Sequence, residues 1–436
     1  MTLEFLSKSR GIGNLLARII TVLRRFGISP KKFEKRLKKY YDVMHNAGCL
    51  PTFAITAAVL DRHPDYIREL CRRGVEFAVH GYVHIDYGVA SREKKREHFK
   101  KAISIFNKQG IPFVGFRAPF LRTNADTNPV LHENGFLYNS SRSLYWPVID
   151  INRFSPNLQD NFNRLFDFYK PHRIEDYISL PRFDSGLVEI PVSIPDDEMI
   201  IERLGVLDEK IIGDIWLDIL ENIYERGELF ILSLHPERID HCEMGLREIL
   251  SRAGEFDPPV WVATLKEIAG WWIEKDRFTF NIEPEGDNRY RVKADCSARA
   301  TILVKKLDVD RPSEPLFDDY RVIAARDFTV ESPVRPVIGL AAGSSVYAVN
   351  FLKSEGFIVD TDSRRGSCVL YLDGLKEFTE ADEKKLSARI EKSGAPLLRF
   401  WRWPDRAKSA LSVTGDIDSI TLTDFVLRII ENKLKN

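Results

Sequence analysis

The chain is poor in cysteine, in long apolar runs and in charge imbalance, and each shortage excludes something. Its five cysteines, Cys49, Cys71, Cys242, Cys296 and Cys368, are scattered over 436 residues with no Cys-x-x-Cys pair. An odd, dispersed set argues against a disulfide framework and points to a reducing compartment. No apolar run reaches the roughly 18 residues of a membrane span, and the N-terminus has no apolar stretch followed by a small-residue cleavage site, so a cytoplasmic location is expected. Lys plus Arg and Asp plus Glu both total 64, which gives no global footprint for nucleic acid, and none is expected as a partner. A hydrophobic fraction of 44% with 29% charged residues describes a globular protein, and the length predicts two or three domains.

From about residue 48 to 275 one phrase recurs: an amphipathic helix, a glycine, then a short apolar strand. Gly48, Gly74, Gly110, Gly135 and Gly227 punctuate it, each suited to the left-handed position that ends a helix. Helices alternating with buried strands predict parallel βα units, in an open sheet or a barrel. Near Lys275 the pattern changes to alternation, with Phe278, Phe280 and Ile282 before a turn at Glu285-Gly-Asp-Asn288 and Tyr290, Val292 and Ala294 after it. The expected division is an α/β barrel at 1–275 plus 405–436, an antiparallel β module at 276–335 and a small α/β module at 336–404.

Two basic amphipathic helices are predicted near the N-terminus. Ile12, Leu15, Leu16, Ile19, Ile20 and Leu23 form one stripe, away from Arg18, Arg24 and Arg25; Phe33, Leu37, Tyr40 and Met44 form another among six lysines and arginines. Such a surface can touch anionic lipid peripherally, although a packed helix with a solvated basic face is the ordinary outcome.

Candidate chemistry gathers at predicted strand ends. Ser409-Ala-Leu-Ser-Val-Thr-Gly-Asp416-Ile-Asp418 reads as a buried strand whose two aspartates share a face, and two adjacent carboxylates call for a cation. His80 and His84 follow another strand; if the chain turns helical there, both imidazoles project to one side and can share an ion. Arg117, in Gly115-Phe-Arg117-Ala-Pro119-Phe120, can hold a nearby carboxylate. His235, closing the apolar strand Leu232-Ser-Leu234, suits a general acid or base. Trp401 and Trp403, just before the acidic strand, could stack on a sugar or pack a hinge. Gly339-Leu-Ala-Ala-Gly343 lacks a P-loop lysine and reads as a turn, and His241 and Cys242 read as turn residues on the surface.

Together these pieces resemble the polysaccharide deacetylases of carbohydrate esterase family four (the NodB homology domain). His80 to His84, Arg117-Ala118-Pro119-Phe120 and Ser233-Leu234-His235 look like the family's second, third and fifth motifs, and Asp416-Ile417-Asp418 looks like its first. The family begins with the Asp strand, whereas here that strand comes last, which implies a circular permutation that adjacent barrel termini permit. The resemblance implies a distorted (β/α)7-type barrel completed by the C-terminal strand, either in its own chain or in a neighbour's as a swapped homodimer.

It further implies that Asp418, His80 and His84 bind a divalent metal, zinc being the first choice, beside an activated water. Asp416 would then be the general base steadied by Arg117, the Phe120 amide would help hold the oxyanion, and His235 would protonate the departing amine. The acidic residue that orients His235 stays open among Asp184, Asp196 and Asp197. The expected activity is removal of an N-acyl group from a sugar or sugar-linked precursor. The alternatives are hydrolysis of a non-sugar amide, as in allantoinases, and non-catalytic carbohydrate binding.

Overall fold

The computed structural model describes residues 25–434. A twelve-stranded sheet forms the body of the fold. Its path runs through His172–Arg173, Ser143–Tyr145, Val192–Ile194, Leu229–Leu234, Ser409–Ile417, Thr52–Ile55, Glu76–Val79, Gly115–Phe116, Tyr138–Asn139, Leu187–Glu189 and Arg182–Asp184, with Val260–Val262 also pairing Ser409–Ile417. All pairings are parallel except Arg182–Asp184 with Leu187–Glu189, and the two ends of the path do not meet, so the sheet curls as an incomplete barrel.

The acidic strand is central within its own chain. Its register puts Ala54 opposite Asp416 on one side and Leu234 opposite Gly415 on the other. All nine residues of Ser409–Ile417 are buried, as expected for a parallel strand covered on both faces. Gly415 is required by this packing: a Cβ there would sit 2.8 Å from the Phe53 ring. Helix Lys31–Asn46 buries Phe33, Leu37, Tyr40 and Met44 against this core, and the Tyr40 hydroxyl donates to the Thr414 carbonyl at 2.8 Å. Its basic face partly pairs within the molecule: Arg36 and Lys39 both reach Asp240, and Lys39 also reaches Glu243. The packed-helix outcome therefore holds for the second predicted stripe, whereas the one over 12–23, with Arg18 and Arg24, lies outside the described residues. No described helix is long and apolar enough to cross a membrane.

Beyond the helix Leu265–Lys275 the chain leaves the main sheet. The hairpin Thr279–Pro284 with Arg289–Asp295 forms around the predicted turn, in antiparallel register Ile282 to Val292. Two details differ from expectation. Leu397–Phe400, assigned by sequence to the small α/β module, pairs antiparallel with Ile302–Lys305 and so completes a sheet of the β module. Local pattern could not decide this, because a buried apolar strand reads alike in either setting. His241 and Cys242 lie within the helix Ile239–Glu255, with Cys242 in the core, rather than in a surface turn.

Candidate active site

The C-terminal ends of six adjacent strands build the site, and backbone hydrogen bonds fix the steps along the rim. Thr56 N–H donates to Ile417 O (3.4 Å), His80 N–H to Ile55 O (2.9 Å), Arg117 N–H to Val79 O (3.0 Å) and Ser140 N–H to Phe116 O (2.8 Å). Asp416 and Asp418, His80, Arg117 and Ser140 thus lie at one edge of the sheet, with Thr52–Ile55 between the acidic strand and that of His80 and with His235 on the other side of the acidic strand.

The segment after His80 is not helical. Residues 80–86 form an irregular loop held against the helix Ala57–Arg62, whose first amides donate to the carbonyls of Gly81 and Tyr82, both at 2.9 Å. Gly81 has φ 82°, and a Cβ there would meet the Tyr87 hydroxyl at 2.4 Å, so glycine is needed on both counts. The loop brings both imidazoles together as expected, by a different route: the four-residue spacing returns His84 beside His80 through a bend, with ring centroids 5.4 Å apart.

His80, His84 and Asp418 offer three ligand atoms within 4.8 Å of one another. His80 Nε2 lies 3.2 Å from Asp418 Oδ1, and His84 Nε2 lies 3.2 Å from Asp418 Oδ2. Two ligands at about 2 Å from a tetrahedral ion would stand about 3.3 Å apart, so these separations suit one cation. The tautomer suits it too. His80 Nδ1 faces the Arg117 carbonyl at 2.9 Å, and since a carbonyl only accepts, the proton sits on Nδ1 and Nε2 presents its lone pair. That lone pair points toward a buried Asp418 Oδ1 with no hydrogen-bond donor of its own.

Burial pushes His84 down to about 4, keeping it a neutral donor at physiological pH. Burial works against an ionised Asp418, yet its neighbours, His84 and Arg428, hold it well below the usual carboxylate range. Arg428 Nη1 donates to Asp418 Oδ2 at 2.5 Å from the helix Leu422–Leu434; no motif in the sequence announced it.

Arg117 is 1% exposed and fully engaged. Its Nη1 donates to Asp416 Oδ1 (3.2 Å), Thr414 Oγ1 (2.7 Å) and Ser233 Oγ (3.2 Å), while Nε and Nη2 reach Ser140 O and Oγ. Such a fork locks the guanidinium and, through it, the Asp416 carboxylate. Phe120 and Leu121 are non-glycine residues at φ 62° and 53°, a strained backbone of the kind that clusters at functional sites. The Phe120 ring stands edge-on to His84 with centroids 4.4 Å apart.

The residue orienting His235 is identified by contact. Asp197 Oδ1 accepts from His235 Nδ1 at 2.7 Å, and its Oδ2 accepts the His235 backbone N–H at 2.7 Å. Burial alone would lower the imidazole, but the Asp197 charge raises it to about 10, so it is cationic at neutral pH. Asp197 is itself held low, against the effect of burial, by His235 and Arg238. Asp196 instead caps Met199 N–H, and burial together with the Asp197 charge lifts it to about 7. Asp184 lies at the far edge of the sheet, bonded to Asn128.

Trp401 and Trp403 are not at this rim. They are 5% and 0% exposed beside the start of the acidic strand, their indole N–H groups donating to Lys408 O (3.2 Å) and Gly227 O (2.9 Å). Sugar stacking is therefore corrected to hinge packing, since neither ring has a free face.

Comparison with known proteins agrees with the motif reading. Residues 22–138, which include His80, His84, Arg117 and Phe120, match the family model for polysaccharide deacetylase. A peptidoglycan deacetylase-like protein, FGM2, of Gibberella zeae is 24% identical over 278 residues, covering 58% of this chain and 74% of that protein. Among solved structures, a probable polysaccharide deacetylase from Pseudomonas aeruginosa PAO1 is 22% identical over 54% of this chain and 72% of its own, with a TM-score of 0.43. Puue allantoinase is 21% identical over the same shares, also with a TM-score of 0.43. Over residues 22–138 the chain is thus similar to the polysaccharide deacetylases.

Proposed function

We propose that this protein is a metal-dependent hydrolase that removes an N-acyl group, foremost N-acetyl, from a sugar or sugar-linked precursor. The observation that carries the reading is the convergence of His80, His84 and Asp418 on one point, with donor states that suit a divalent cation, beside an Arg117-held Asp416 and an Asp197-held His235. When bound, such an ion would polarise a carbonyl and acidify water.

The protein's own groups supply the rest. Asp416, fixed by Arg117, takes a proton from the attacking water. His235 keeps its Nδ1 proton in a hydrogen bond to Asp197 and leaves Nε2–H to donate to the departing amine, and a pKa of about 10 keeps that donor protonated at neutral pH. The amide at the strained Phe120 turn can donate to the developing oxyanion. We also read the chain order as a circular permutation: the segment matching the family precedes the acidic strand, which enters the sheet last in sequence yet beside Thr52–Ile55 in space. The residues between the two barrel segments, about 276–404, then link them.

The test is release of free acetate from a panel of N-acetyl sugars, run against cyclic ureides, with protein of measured metal content. Acetate from sugars alone supports the proposal. Turnover of ureides alone would replace it with an allantoinase-like activity, and neither turnover nor bound metal would leave a carbohydrate-binding protein.

A further inference from the structure

The helix Leu422–Leu434 begins just after the acidic strand, and its first turn is locked in place. The Asp424 carboxylate accepts the Thr421 N–H at 2.8 Å and is held by Arg62 Nε (2.6 Å) and His63 Nε2 (2.8 Å) at the end of the helix Ala57–Arg62. Leu422 N–H donates to the Gly27 carbonyl at 2.9 Å, and the Phe425 ring stacks on Phe26 with centroids 5.6 Å apart. One turn beyond Asp424, on the same face, comes Arg428, whose guanidinium lies over the Phe425 ring at 5.3 Å. An anchored helix therefore delivers it to Asp418.

The two oxygens of Asp418 differ in what they meet. Oδ2 accepts from Arg428 Nη1 at 2.5 Å, whereas Oδ1 is buried with no hydrogen-bond partner and faces the His80 Nε2 lone pair at 3.2 Å. The guanidinium takes up one oxygen and leaves the other for a cation shared with His80 and His84. A small ion with nitrogen ligands is content with one carboxylate oxygen, while larger, oxygen-seeking ions gain more from two.

The charge of Arg428 acts in the same direction, because it repels a divalent ion across the carboxylate. With the Arg428 and Asp418 side chains only 26% and 15% exposed, water screens that repulsion incompletely. Orientation of Asp418 by Arg428 works the other way, but a partly exposed ion pair is worth at most about fivefold in affinity. Repulsion of a divalent ion outweighs that even at an effective dielectric constant of about 20.

We propose that Arg428 sets the specificity of the metal centre: it holds one Asp418 oxygen out of coordination, widening the preference for zinc over manganese and moderating the affinity for both. The inference rests on the reading of His80, His84 and Asp418 as metal ligands.

The test titrates metal-free protein with zinc chloride and, separately, with manganese chloride, against a chelator of known affinity. Wild-type, Arg428→Met, Arg428→Gln and Arg428→Lys proteins are compared, with melting temperatures in the absence of metal as the check on folding. Arg428→Met should tighten zinc binding by about tenfold and manganese binding by about a hundredfold, so that the preference for zinc shrinks about tenfold. Arg428→Gln, the second charge-free variant, should do the same, while Arg428→Lys should stay within a few fold of wild type. Zinc bound by wild-type protein with affinities and preference unchanged, or weakened, in both charge-free variants overturns the role of Arg428 and leaves the metal centre standing. Wild-type protein that takes up neither ion in large excess overturns the metal-centre reading and this inference together.

Discussion

The two ends of the strand Ser409–Ile417 both bury charge, and they do so in opposite ways. At its entry, Glu355 accepts from Arg402 through both oxygens, Nε to Oε1 at 3.0 Å and Nη2 to Oε2 at 2.5 Å. Arg402 also donates to the carbonyls of Arg226 and Gly227, and Lys275 donates to the Ser354 carbonyl. At its exit, Asp418 Oδ1 and His84 Nδ1 are buried without a hydrogen-bond partner, and lone pairs of His80 and Asp418 face each other. At the entry the carboxylate of Glu355 is met on both oxygens, although Arg399 Nε and Ser409 Oγ are buried there without partners; at the exit it is a carboxylate oxygen facing an imidazole lone pair that lacks a donor, an arrangement a cation would complete. The entry reads as a hinge lock, and the exit is where the proposed chemistry would take place.

The comparison is tested most severely at Asp418. Asp418→Ala should abolish bound divalent metal, read by elemental analysis, and cut acetate release by about 10⁴-fold, at the upper end of what loss of one acid or base costs, while the melting temperature of metal-free protein barely falls. Glu355→Ala should do the reverse. It strands two buried guanidinium groups and should cost about 3–5 kcal/mol in chemical denaturation, with activity per folded molecule preserved. Loss of activity without loss of stability in that variant would dissolve the distinction drawn here.

Smaller effects sharpen it at the rim. Asp197→Asn should lower kcat by about 10²-fold and move the alkaline limb of the pH–rate profile down from about 10 toward the ordinary histidine value near 6.5. A purely structural Asp197 would leave that limb where it is. The same pair predicts a modest pH dependence of stability. Because the folded His235 is raised to about 10, its stabilising contribution is complete below about pH 6.5 and fades as pH climbs to 10, measurable as a declining melting temperature that Asp197→Asn removes.

Legibility in the sequence followed the physics of locality. The apolar run ending in Asp416 and Asp418, the His80–His84 spacing and the Arg117-Ala-Pro-Phe120 turn are local patterns, and the structure places all of them along one rim. Trp401 and Trp403 were readable as hinge or stacking residues, and only their buried surroundings separate the two. Asp197 was indistinguishable from Asp196 by spacing, since adjacent residues differ in direction and not in type; the strand end that His235 leaves determines which one it meets. Arg428 carried no signal, because a lone arginine on an amphipathic helix is ordinary until the fold puts Asp418 beside it.

The sequence by itself determined most of the element types, the parallel α/β character of much of the chain and the inventory of acid, base and ligand groups, because periodicity and turn chemistry act over a few residues. Tertiary structure alone decided that a strand near the end of the chain lies between Thr52–Ile55 and Leu229–Leu234, and that Leu397–Phe400 joins the β module. It also decided that the insert reaches back to wall a cavity beside the rim. Strand order in a sheet is a long-range choice, fixed by which buried faces fit together, and no local pattern encodes it.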